Sequence, residues 1–161
     1  MSEPKQYQPS KVMNAANAMM RGLARIGLVP HVVVLTVRGR TSGEPRSLPV
    51  TPIEQGGSIW LVSPYGTVAW VRNVRAAGDI ALSRGRTTRR FTTREARPDE
   101  VGPVLKRYVA VVPIVLPYFA AGVSDPVETF AAEADRHPVF ELTAVGGSDA
   151  LSGPGPASQN V

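Results

Sequence analysis

The chain has 161 residues, 43% of them hydrophobic, so it is long enough to bury a core as one domain without covalent cross-links. It contains no cysteine, which excludes disulfides, thiolate catalysis and cysteine-ligated metals. Because it also has only two histidines, we expect no metal site. The net charge of +5 indicates an anionic partner: a nucleic acid, an anionic membrane surface or a phosphorylated small molecule.

The first predicted element is an amphipathic helix over about residues 11–27. Its apolar residues recur at helical spacing, and its polar side carries Lys11, Arg21 and Arg25. Such a helix usually packs on its own domain, and binding to an anionic membrane is the alternative. Because the leader lacks an apolar signal core and no apolar run is long enough to cross a bilayer, we expect a cytoplasmic protein. Peripheral association with the inner face of the plasma membrane stays open.

Runs rich in β-branched residues next predict six mostly antiparallel strands. Gly and Pro residues mark the turns between them, and a short helical pattern that ends at Gly78 follows the third strand. The predicted strands are His31–Val37, Arg46–Glu54, Ser58–Ser63, about Asp79–Arg84, about Thr87–Glu95 and the closing strand His137–Ala144.

A helical insertion precedes the last predicted strand. It comprises a helix from Pro98 to about Ala110, a proline-interrupted apolar segment, and a short helix near residues 126–134. There is no β-α-β alternation and no dinucleotide fingerprint, so we expect an α+β fold that is mainly β, a small barrel with helices over its openings. Residues 1–145 are predicted to form this single domain, and the Gly-, Ser- and Pro-rich residues 146–161 a disordered tail.

The turn between the first two strands, RGRTSGEPRSLP at 38–49, carries three arginines. A turn needs Gly or Pro for its backbone angles but has no structural need for three guanidinium groups that repel one another, so an anionic ligand is a natural partner. The alternative is a solvated basic turn. A second RGRT sequence, at 84–87, is interpreted as a solvated hairpin whose arginines protect a sheet edge.

Followed by SPYG at 63–66 and AWVRNVRAAG at 69–78, the first turn resembles the deazaflavin-dependent nitroreductase family of flavin/deazaflavin oxidoreductases over about residues 33–95. The resemblance implies a six-stranded split β-barrel. It also implies a reductase that passes a hydride from reduced coenzyme F-420, a non-covalently bound 8-hydroxy-5-deazaflavin derivative, to an electron-poor conjugated acceptor such as a quinone, an enone or a nitro-compound.

By position, the resemblance implies that the turn binds the cofactor phosphate and neighbouring acids. Gly39 and Gly43 would let backbone N–H groups approach the anion, and the arginines would supply charge. Several family members carry a lysine where this chain has Thr41, so either one charge is missing or Arg38 compensates. The implied cofactor-binding residues are Arg40, Thr41, Ser42, Gly43, Arg46, Pro49, Ser63, Pro64, Tyr65, Gly66, Trp70 and Asn73.

Three phenols, Tyr65, Tyr108 and Tyr118, are available to protonate the acceptor, and Tyr118 and Tyr65 are the candidate catalytic residues, with water as the alternative. The apolar segment at 111–119 and the N-terminal helix are the expected walls of the acceptor pocket.

Three other interpretations remain. A non-catalytic binder of apolar ligands or a protein that binds FMN would use the same barrel. A nucleic-acid-binding module is disfavoured because only 6% of the residues are aromatic, with none in either RGRT turn. The sequence is compatible with a monomer or a homodimer.

Overall fold

The computed structural model describes residues 31–146. The predicted helix over 11–27 and nearly all of the predicted tail lie outside these residues. Within them the strands are β1 (Val33–Arg38), β2 (Pro45–Val50), β3 (Ile53–Gln55), β4 (Ser58–Val62), β5 (Asp79–Arg84), β6 (Thr87–Glu95) and β7 (Val139–Ala144). The helices are α1 (Ala69–Ala77), α2 (Pro98–Val111) and α3 (Val127–Ala131), with 3₁₀ segments at Pro113–Tyr118 and Ala134–Arg136.

The seven strands of the described residues form one antiparallel sheet in the order β2-β1-β5-β6-β7-β4-β3. The two edge strands, β2 and β3, are joined in the chain by Thr51 and Pro52 alone. Three Cα steps of about 3.8 Å are the longest distance this connection can span, so the sheet must curl until its edges approach each other. The fold is therefore mainly β with helices, a curled sheet consistent with a split barrel.

The prediction of six strands is wrong, because the predicted second strand divides into β2 and β3. Val50 is still opposite Val33 of β1, whereas Ile53 is already opposite Trp60 of β4. The chain changes its pairing partner between these residues, where Pro52 has no N–H to continue a ladder. The other strands agree with the predicted ones within about two residues, and the helical insertion lies between the last two strands as expected.

Alternate residues of the sheet face two cores. On β4, Leu61 faces the inner core with α1, whereas Trp60 and Val62 face a second core formed with α2 and the following 3₁₀ segment. Helix α1 ends because Gly78 adopts the left-handed conformation, with φ of 75°, and its N–H donates to the carbonyl of Val74 over 2.8 Å. Helices α1 and α2 therefore pack against different cores, α1 against the inner core and α2 against the second one.

Within residues 31–146, none of the helices combines the length and apolar character that a membrane-spanning helix requires.

Candidate active site

A cavity of about 1140 Å³ runs along β2 and is closed laterally by α1, the β4–α1 loop and the end of α2. The β1–β2 turn forms one end of it. Tyr108, Val112, Ile114 and Val115 form the other end, where α2 packs on β3 and β4. The cavity therefore extends from a basic turn to an apolar wall.

The β1–β2 turn is held by its own hydrogen bonds. The amide of Gly39 donates to Glu44 O over 2.8 Å, and that of Gly43 donates to Gly39 O over 2.9 Å. These two amides are therefore used within the turn, so any amide that binds an anion here must belong to another residue of the turn. Glycine at 39 also avoids crowding: a Cβ there would lie 3.0 Å from Ser42 Oγ and 3.1 Å from Glu44 O. Gly43 has a φ of 74°.

The amides left for a ligand are those of Thr41 and Ser42, which have no hydrogen-bond partner among the described residues. Both residues are exposed and line the cavity. The hydroxyl oxygen of Ser42 accepts a bond of 3.2 Å from the amide of Glu44, and its hydrogen stays available for donation. Gly43 itself does not line the cavity.

Asn73 of α1 fixes the turn from inside the protein. Its Oδ1 accepts hydrogen bonds from the Arg40 amide over 3.2 Å and from Arg40 Nη1 over 2.8 Å. The side chain is 6% exposed and lines the cavity. Because one carbonyl oxygen has two lone pairs, both are used by Arg40. Asn73 therefore orients Arg40 toward the cavity.

The turn end of the cavity is cationic. Arg40 and Arg46 line it, and the described lining residues include no Asp or Glu. The guanidinium of Arg46 has no ion-pair partner within residues 31–146. Arg38 lies elsewhere, 3.8 Å from Asp79, and does not line the cavity. Arg38 is therefore not placed to supply the positive charge that Thr41 lacks in comparison with a lysine.

The SPYG loop divides into residues that line the cavity and residues that shape the loop. Pro64 and Tyr65 line it. Ser63 is buried, and its hydroxyl donates to Gly66 O over 2.6 Å, while Gly66 has a φ of 86°. Trp70 at the start of α1 lines the cavity with a residual exposure of 7%. Pro49 also lines it, from β2.

The three phenols have different positions. Tyr65 and Tyr108 line the cavity, whereas Tyr118 does not. The ring of Tyr118 packs edge-on against that of Tyr65, with centroids 4.8 Å apart. Burial, together with the neighbouring Tyr65, raises the pKa of Tyr108. The phenol of Tyr108 therefore keeps its proton at neutral pH.

Most of the apolar lining was not identified from the sequence. Of the predicted wall at 111–119, three residues line the cavity and Phe119 belongs to the core. For the strand residues among the rest, period-2 patterns gave no signal, because a strand residue that faces a cavity is as apolar as one that faces a core. The missed lining residues are Val32, Leu48, Val50, Thr51, Val62, Val68 and Ala69.

A buried polar pair behind the SPYG loop was also missed. The carboxylate of Glu133 accepts hydrogen bonds from the amides of Ala120 and Ala121 over 2.8 and 2.9 Å. The ring of His137 stacks on Phe119 at 3.9 Å, and its Nε2 is 3.4 Å from Glu133 Oε1, too far for a good hydrogen bond. Burial lowers the pKa of His137, an effect that Glu133 only partly offsets. We conclude that the imidazole is neutral in the folded protein.

The sequence model of a family described as F-420H(2)-dependent quinone reductase matches residues 11–126. Among solved structures, one described as a domain-swapped dimer is 20% identical, with a TM-score of 0.52 over 82% of this chain and 96% of that one. A protein of unknown function from Agrobacterium tumefaciens is 19% identical, with a TM-score of 0.53 over 80% of this chain and 55% of that one. These two share the fold.

An F-420-H2-dependent reductase, FDR-A, is 23% identical, with a TM-score of 0.44 over 70% of this chain and 94% of that one. No curated protein sequence matches the chain.

The cavity suits a cofactor that carries both anionic groups and a flat ring. Two arginines and two unpartnered amides at one end, without an opposing carboxylate among the described lining residues, match a phosphate and neighbouring acids. The apolar surface between β2 and Trp70 is suited to a ring. Because the family model covers well over half of the chain, the chain belongs to the F-420H(2)-dependent quinone reductase family and is a deazaflavin-dependent oxidoreductase with coenzyme F-420 as its cofactor.

Proposed function

We propose that the protein reduces electron-poor conjugated acceptors, quinones first among them, in the cavity along β2. The observation that supports this best is the division of that cavity into a cationic end without carboxylates and an apolar end with phenol hydroxyls, among the described residues. When bound, the coenzyme supplies two electrons as a hydride, and the protein supplies orientation and a water-poor site.

At the cationic end, we expect Arg40, Arg46, Ser42 and the two free amides to bind the phosphate and the adjacent carboxylates of the coenzyme. Guanidinium groups bind such oxygens in pairs, and bonds between charged partners are roughly twice as strong as neutral ones. Asn73 holds Arg40 before the ligand arrives, which reduces the entropy lost on binding.

At the apolar end, the wall after α2 is suited to the flat body of the acceptor. Val112 and Val115 are partly or fully buried there, whereas Ile114 is 81% exposed and leaves the wall accessible from solvent. A quinone presents apolar ring edges to such a wall and carbonyl oxygens to a donor. Enones and nitro-compounds share these features and are the secondary acceptors.

A parallel titration of the purified full chain with coenzyme F-420 and with FMN tests the cofactor assignment. Single-turnover mixing of the reduced complex with a quinone, an enone and a nitro-compound then ranks the acceptors. We expect tighter binding of the deazaflavin and the fastest reoxidation by the quinone. Tighter binding of FMN, or a reduced complex that none of the three reoxidises, would contradict the proposal.

Arg46→Ala and Arg86→Ala form a matched pair for the anion site. Arg86 lies in the second RGRT turn, at the opposite end of the sheet, because β5 runs antiparallel to β1. Loss of charged hydrogen bonds worth about 1.5 to 3 kcal/mol should weaken F-420 binding ten-fold or more in Arg46→Ala. Arg86→Ala should bind normally at the same ionic strength. Equal losses would show a diffuse basic surface instead of a site.

A further inference from the structure

We propose that Tyr108 donates a hydrogen bond to the carbonyl oxygen of the acceptor and stabilises the negative charge that develops there as the acceptor is reduced. This assignment rests on the proposed function and adds a residue to it. Among the three available phenols, it selects the one on α2.

The position of Tyr108 is the first observation. Its side chain lines the apolar end of the cavity, beside Val112 and Val115, and the residue is only 5% exposed. Helix α2 packs on β3 and β4, so this end is separated from the cationic turn by the length of β2. Six strand residues extend about 20 Å, which leaves room for a flat cofactor between the turn and Tyr108.

The second observation concerns the hydroxyl group. It has no hydrogen-bond partner within residues 31–146. Among those residues, the side-chain polar atoms that are both fully enclosed and unpartnered are the two ring nitrogens of His137. The Tyr108 hydroxyl is therefore not fully enclosed, and the cavity that the side chain lines is where a partner can reach it. A hydroxyl that has no protein partner and faces the cavity is free to donate a hydrogen bond to a ligand that enters it.

The chemistry requires a donor at this place. Hydride transfer brings two electrons and one hydrogen to a quinone and leaves negative charge on a carbonyl oxygen; one proton from water then completes the hydroquinone. A fixed O–H aimed at that oxygen lowers the barrier because the charge forms in a site of low dielectric constant. Since burial keeps Tyr108 protonated, the residue acts as a hydrogen-bond donor throughout and water supplies the net proton.

The other phenols are less well placed. Tyr118 does not line the cavity, and its ring packs edge-on against the ring of Tyr65. Tyr65 lines the cavity from the SPYG loop but is half-buried in the contact with Tyr118 and has interactions of its own. Tyr65 also lies near Tyr108 and contributes to the raised pKa of that residue.

The test uses the full chain saturated with oxidised coenzyme F-420, so that the cationic end is occupied. The probes are 4-nitrophenolate, which carries an oxyanion on an apolar ring, and its methyl ether, which does not. Tyr108→Phe should weaken nitrophenolate binding about ten-fold or more and leave the ether unaffected, because a bond to a charged oxygen is lost. Stability should be unchanged, since Tyr108 makes no hydrogen bond within the described residues. Tyr118→Phe serves as the comparison variant.

In single turnover, reduction of a quinone by Tyr108→Phe should slow ten-fold or more, with unchanged affinity for the coenzyme. Equal binding of nitrophenolate by wild type and Tyr108→Phe, or a loss found only in Tyr118→Phe, overturns the assignment. If the wild-type protein binds the coenzyme and reduces quinones, but Tyr108→Phe matches it in both assays, only the role assigned to Tyr108 is refuted and the proposed function stands. Failure of the wild type to reduce any acceptor refutes the proposed function.

Discussion

The hydrogen bonds of Asn73 give a measurable link between the fold and the cofactor site. Asn73→Ala removes both acceptor contacts to Arg40, one to its amide and one to Nη1. Arg40 is exposed, so water can replace the contact to its guanidinium, and each bond is best valued at about 1 kcal/mol. We therefore expect a loss of about 2 kcal/mol in the free energy of unfolding, measured by urea denaturation, and weaker F-420 binding because Arg40 is no longer oriented.

Asn73→Asp separates the two effects. A carboxylate at this position can accept the same two hydrogen bonds, so stability should be retained. It also places a negative charge in a cavity end whose described lining residues have none, beside the expected phosphate. Coenzyme affinity should fall ten-fold or more, and added salt should reduce this difference.

The two variants together can refute the reasoning. Wild-type stability in Asn73→Ala would mean that the Arg40 contacts contribute nothing in solution. Wild-type coenzyme affinity in Asn73→Asp would mean that no anion is bound near this helix, and the assignment of the turn as the phosphate site would be wrong.

Two further predictions concern stability. In Gly102→Ala the new Cβ would lie 2.8 Å from the Val127 carbonyl oxygen, so overpacking of α2 on α3 should cost about 1 to 3 kcal/mol in urea unfolding, more than the helix gains; a stabilised variant would contradict this. Because the pKa of His137 is lowered in the folded state, the unfolded chain takes up the proton first, so stability should decline as the pH falls below about 6.5. His137→Phe should flatten that decline, and an equally steep profile would exclude His137 as its source.

Local signals were sufficient for most of the fold. The β5–β6 hairpin and the end of α1 at Gly78 follow from residue periodicity and from a glycine with positive φ, which are properties of short segments. The division of β2 from β3 was not predictable in this way. Thr51 and Pro52 interrupt a continuous β-rich run, but the change of partner from β1 to β4 depends on strands that are distant in sequence.

The same distinction applies to the site. The basic turn could be proposed from its own residues and from the family resemblance, because its function is contained in one hairpin. Which tyrosine reaches the cavity depends on how α2 packs on β3 and β4, and no local pattern distinguishes Tyr108 from Tyr118. Which amides of the turn stay available was not predictable for a related reason: a glycine in a turn signals backbone freedom, but not whether its own N–H is used inside the turn.

The change of partner at residues 51–52 also explains why an edge strand can form the wall of a cofactor site. If β2 continued alongside β3, a ladder of hydrogen bonds would close the barrel where the cavity now lies. Instead, among the described residues β2 pairs with β1 alone. Pro45 and Pro49 are four residues apart and so face the same edge of β2, where neither can donate a hydrogen bond to another strand. Among the described residues, the second edge of β2 therefore stays unpaired, and the strand is free to line the cavity.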